Sequence, residues 1–132
     1  LNGVAAFAAP LDGWLYNLHF RDGIVPLLTG VVPEKSRSTA DARSHAERPE
    51  VVAWAYERAN GGRSFAFTGC DLHRNWTVEG QRRFVTNGIL WSAKLPVPQD
   101  GAPTPMAPGD IATNMDAKPA PAPKAAAPAA AQ

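Results

Sequence analysis

Trp54-Ala55-Tyr56-Glu57-Arg58-Ala59-Asn60-Gly61-Gly62-Arg63-Ser64-Phe65-Ala66-Phe67-Thr68-Gly69, followed closely by His73-Arg74-Asn75-Trp76, is the stretch that decides the fold. Two β-rich runs flank Asn60-Gly61, a pair that accepts positive φ at both positions of a two-residue hairpin turn. A turn centred there predicts that Glu57 faces Ser64, Tyr56 faces Phe65, Ala55 faces Ala66 and Trp54 faces Phe67. Side chains alternate along a strand, so this register puts Trp54, Tyr56, Phe65 and Phe67 on one face. Ala53, Ala55, Ala66 and Thr68 then form a shallow second face that a helix can approach. Aromatic rings so placed are expected to pack a core.

Downstream, Thr77 is expected to cap a helix over Val78 to Lys94, ended by Pro96. Phe84, Gly88, Trp91 and Leu95 form one apolar stripe on it, with Val85, Ile89 and Ala93 alongside. Arg82, Arg83, Thr86, Asn87 and Lys94 are assigned to water. A glycine costs up to about 1 kcal/mol in a helix interior, so Gly88 points to close approach of helix and sheet.

Upstream, the alternation in Trp14 to Phe20, closed by Asp22-Gly23, predicts a strand. Ile24 to Val32 is a second β-rich run; Pro26 places it at a sheet edge and suggests a start at Leu27. Pro33 to Pro49 reads as a long polar loop with one helical turn near Asp41 to His45. His45 is expected to be solvated there, and His19 to lie on the surface or as a satisfied core side chain.

Beyond Leu95 the composition changes. Nine of the 13 prolines lie at or after Pro96, and Lys118 to Pro128 has no aromatic or branched apolar residue with which to offset the entropy of ordering. Residues 1–97 are therefore assigned to the folded part and 98–132 to a disordered Pro/Ala-rich tail, with a short helix at Asp110 to Met115. The chain opens on Leu1, already inside an apolar run, which suggests a fragment or a processed product.

A net charge of +1 without a basic stripe argues against nucleic acid. No apolar run reaches the roughly 20 residues needed to span a bilayer. The one cysteine, Cys70, rules out an intrachain disulfide framework. Nothing calls for a cofactor.

Chemistry is best placed in Thr68 to Trp76, between a strand end and a helix start, where open α/β sheets bind ligands. Asp71 and His73 could form an acid/base pair, or Cys70 and His73 a nucleophile and its base. A metal site built on Cys70, Asp71 and His73 has too few ligands. The competing assignment is structural, with Asp71 and Asn75 satisfying backbone amides while Trp76 closes the core.

Val52 to Arg58, Gly61-Gly62-Arg63-Ser64-Phe65, Phe67-Thr68-Gly69, His73-x-Asn75-Trp76, Arg82-Arg83 and Asn87-Gly88-Ile89-Leu90-Trp91 together resemble the closing portion of ThuA-like (trehalose utilisation) domains. Pro26-Leu27-Leu28-Thr29 and the Trp14 to Phe20 segment fit the same pattern, so the resemblance spans most of Leu11 to Val97. It implies an α/β, flavodoxin-like fold of the class I glutamine-amidotransferase type, of which this chain is the C-terminal part, without the amidotransferase cysteine. It also implies a bacterial protein of disaccharide or keto-sugar metabolism, with His73 and Asp71 as catalytic residues. Arg74 and Asn75 would orient the sugar and Trp76 would wall the pocket. Where relatives carry a Gly-Gly-His-Phe-His loop, this chain has Gly69-Cys70-Asp71-Leu72-His73, so Asp71 replaces the first histidine. A non-catalytic sugar-binding or protein-interaction module is the alternative. Assembly of identical copies is compatible with either reading, and the resemblance and the tail lean towards the bacterial periplasm or secretion.

Overall fold

The computed structural model describes residues 1–9 and 11–113. These residues build a mixed α/β arrangement: a three-stranded antiparallel sheet with one long helix on it. Strands β1 (Ile24–Val31), β2 (Pro49–Glu57) and β3 (Arg63–Phe67) lie in the order β1-β2-β3. Helix α1 (Ala40–Ser44) sits in the β1–β2 connection, α2 (Glu79–Ser92) follows β3, and α3 (Asp110–Thr113) comes last.

Asn60-Gly61 does turn the chain, but one residue out of the expected register. Only Gly61 takes a positive φ, +78°, so the loop becomes the three residues Ala59-Asn60-Gly61, closed by Arg58 N donating to Gly62 O at 2.7 Å. Gly61 N donates back to Arg58 O, and Asn60 Oδ1 accepts from Gly62 N. This is the longer hairpin connection with a left-handed glycine. Glu57 therefore pairs with Arg63, Tyr56 with Ser64, Ala55 with Phe65, Trp54 with Ala66 and Ala53 with Phe67.

A slip of one residue exchanges the faces of one strand. Phe65 and Phe67 share a face with Ala53 and Ala55, and Trp54 and Tyr56 lie on the other. The single aromatic face expected from the sequence is therefore divided between the two sides. On the first, Phe84 of α2 meets Phe65 and Phe67 edge-on at 5.1 and 5.3 Å. On the second, Phe20 packs edge-on against Trp54 at 4.9 Å and the Arg21 guanidinium lies over the Tyr56 ring.

Trp14 to Phe20 forms no strand and pairs with none. Alternate residues from Asp12 to Phe20 are half-buried and those between them exposed, so the period of two reflects packing without a ladder. Asn17, at φ +55°, breaks the run, and its amide donates to the Glu50 carboxylate at 3.1 Å. β1 occupies an edge as Pro26 indicated, yet begins at Ile24 and takes irregular register around Pro26 to Leu28. The β1–β2 connection holds its helical turn, α1, capped by Thr39 Oγ1 accepting from Ala42 N.

Helix α2 is shorter than expected and lacks a side-chain cap: Thr77 Oγ1 donates to Arg74 O instead, and Val78 occupies the N-cap position. Its buried residues are Gln81, Phe84, Asn87 and Gly88, while Ile89 is 60 % exposed. The buried face is thus rotated away from the Val85-Ile89-Ala93 stripe. Gly88 fits its assigned role, since a Cβ there would lie 2.5 Å from the Phe65 ring. Lys94, at φ +60°, ends the helix, with Leu95 N donating to Leu90 O.

The face assigned to water instead ties down both ends of the described chain. Asn87 donates to Asn2 O and accepts from Ala102 N, both at 2.8 Å. Arg83 donates to Gly3 O, and Arg82 reaches both Trp76 O and Thr104 O. Ala102 is only 2 % exposed, so chain beyond Val97 packs on the sheet–helix unit. Of the tail assigned to 98–132, residues 114–132, and with them the end of the helix expected to reach Met115, lie outside the described residues. Within them, no helix is long and apolar enough to cross a membrane.

Candidate functional site

The loop from Thr68 to Val78 leaves β3 and enters α2, and its shape is set largely from outside. Asp12, on the N-terminal segment, accepts from Cys70 N at 2.9 Å through Oδ2, and from Leu72 N and Gly13 N at 3.1 and 3.0 Å through Oδ1. Burial alone would raise its pKa, but the amides of Cys70 and Leu72, the Asn75 side chain and the Gly13 amide together outweigh it. They hold the carboxyl below its ordinary value of 3.8. Asn75, 2 % exposed, closes the second link by donating from Nδ2 to Leu11 O at 2.6 Å. Asp12 was not among the residues singled out from the sequence. The Asp12-Gly13 dipeptide is a local turn signal, and nothing in it points to partners some 60 residues away.

Cys70 occupies the left-handed region at φ +76°, and this conformation turns its amide to Asp12. Its thiol is a poor nucleophile at neutral pH: burial, with the nearby Asp12 charge, pushes its pKa up to about 11. Gln81, fully buried at 0 % exposure, donates from Nε2 to Cys70 Sγ at 3.4 Å. His73 turns away from the thiol, placing Nε2 at 2.8 Å from Ile111 O, to which it donates. The nucleophile–base pairing of Cys70 and His73 is therefore not assembled.

Asp71, His73 and Arg74 are exposed along the loop, and the short 3₁₀ turn His73–Thr77 carries the last two. Asp71 lies against Gly13, where an added Cβ would come within 2.7 Å of its carboxylate. No hydrogen bond joins Asp71 to His73. Trp76 is half-buried, its carbonyl held by Arg82. The loop thus divides into an inner set, Asn75 and Trp76, that fastens it, and an outer set, Asp71, His73 and Arg74, that is exposed, with His73 held by Ile111 O.

A second polar cluster lies at the start of β2. His45, expected in solvent, is 5 % exposed: its Nδ1 bonds the Glu50 carboxylate, its Nε2 lies 3.9 Å from Asp41, and the Tyr16 ring meets it edge-on. Burial opposes ionisation of Glu50, but the His45 contact, the Asn17 amide and the Arg48 charge hold its carboxyl below 4.5. The loop composition hid this because burial of His45 depends on the return of the chain at Pro49. Among the described residues no group of three His, Cys, Asp or Glu side chains is arranged to hold a metal ion. Comparison with known proteins finds no matching family model, no matching curated protein and no matching solved structure.

Proposed function

We propose that this chain is the closing part of a ThuA-like domain, of flavodoxin-like and class I glutamine-amidotransferase-like architecture, that serves carbohydrate metabolism without amidotransferase activity. The supporting observation is the loop between β3 and α2, which presents Asp71, His73 and Arg74 to solvent on a frame held by Asp12 and Asn75. A carboxylate, an imidazole and a guanidinium supply the acceptors and donors that sugar hydroxyls or a keto group require. The high pKa of the Cys70 thiol disfavours Cys70 itself as a nucleophile. The three strands here are antiparallel, so the reading assigns the parallel βαβ units of such a fold to a longer chain.

One observation favours the alternative, a non-catalytic sugar-binding or interaction module. His73 is engaged by Ile111 O and shares no hydrogen bond with Asp71, so the acid/base pair is unassembled without a ligand. Binding and turnover of trehalose and a 3-keto-disaccharide, measured for the chain and for His73→Ala and Asp71→Asn, separate the two. Turnover lost in both variants identifies an enzyme. Binding weakened about tenfold without any turnover identifies a module, as expected for loss of one charged hydrogen bond. No binding of any sugar, with neither variant changing anything, removes the carbohydrate reading.

A further inference from the structure

A cleft of about 570 Å³ lies away from the exposed side of the 68–78 loop, between the N-terminal segment and the far end of β1. Its size suits a small organic ligand. The lining is mainly apolar, with Phe7, Trp14, Leu28 and Val52 among it, and two carboxylates also line it, Asp12 and Glu50. No Lys, Arg or His side chain lines it among the described residues. Glu50 is already matched by His45 and Arg48. Asp12 is not: its described partners are main-chain amides and the neutral Asn75 side chain, which orient the carboxylate without supplying a counter-charge, and no described cationic side chain pairs with it.

A charge in mostly apolar surroundings favours an opposite charge, and aromatic faces reinforce the attraction for an ammonium group. A disaccharide suits the cleft less well, because the apolar walls would leave most of its hydroxyls unpaired. We propose that the cleft binds an amphiphilic organic cation, with an ammonium on Asp12 and an apolar or aromatic body against Phe7, Trp14 and Val52. This rests on the lining of the cleft alone and is independent of the carbohydrate reading.

The test compares 2-phenylethylamine, 2-phenylethanol and phenylacetate on the whole chain, following amide and indole NMR signals. The amine should bind at least about tenfold more tightly than the alcohol, as one charge-assisted contact predicts. It should shift the Trp14 indole and the Asp12, Gly13 and Cys70 amides, lose affinity with added salt, and leave phenylacetate as a non-binder. Asp12→Asn should abolish the preference for the amine while retaining alcohol binding. Should that variant not fold, the wild-type ranking and the position of the shifts still decide. Equal binding of amine and alcohol, shifts confined to other surfaces, or no binding of the amine would each overturn the proposal.

Discussion

Removing the carboxylate of Asp12 would leave the amides of Gly13, Cys70 and Leu72 without their acceptor. Half-buried amides recover part of the loss from water, so Asp12→Ala should cost about 2 kcal/mol, read as a lower midpoint in urea unfolding. The same residue predicts a pH dependence. Asp12 and Glu50 both have folded pKa values below their ordinary 3.8 and 4.5. Each therefore contributes stability that is fully present above its ordinary value and is lost as pH falls towards the lowered folded one. The melting temperature should hold steady down to about pH 5 and then fall, and Asp12→Asn should remove part of that fall. At Cys70, alkylation by iodoacetamide at pH 7 should be much slower than for free cysteine and should accelerate in urea. Fast alkylation of the folded chain would contradict a thiol raised to about 11.

At the scale of elements, the hairpin shows how one backbone dihedral outweighs side-chain matching. Asn60-Gly61 marks the turn, but both two- and three-residue loops can be built on it, and the choice rests on whether Asn60 also takes a positive φ. Pairing large residues with large ones pointed to the two-residue loop. The longer loop prevails, and with it Phe65 and Phe67 reach the helix side, where Phe84 fills the space between them. Gly88 was legible because its cost in a helix demands a compensating contact, although that contact is the Phe65 ring rather than a bed of alanines. Gly88→Ala should lower stability by about 1 kcal/mol, because overpacking of 1 to 3 kcal/mol exceeds the gain in helix propensity. A more stable variant would mean that Phe65 can withdraw. Asn87 and the two arginines were misjudged for a different reason: polar residues on a helix read as solvent-facing unless the chain segments that return to them are known.

Across the whole molecule, local order was readable and long-range closure was not. The strand–turn–strand–loop–helix sequence, the edge position of β1 and the turn of helix in the 33–49 connection follow from patterns a few residues long. The links that set the candidate site join residues far apart: Asp12 with Cys70 and Leu72, Asn75 with Leu11, His73 with Ile111. They make the N-terminal segment and the chain beyond Val97 part of the unit that shapes the loop. The proposed meeting of a sugar with the outer set of this loop is tested by NMR titration of a keto-disaccharide onto the chain, watching the His73 imidazole and the Trp76 indole. Saturable shifts at both, weakened in Asp71→Asn, are the predicted result; signals that stay in place at millimolar sugar, while the fold remains intact, would contradict it.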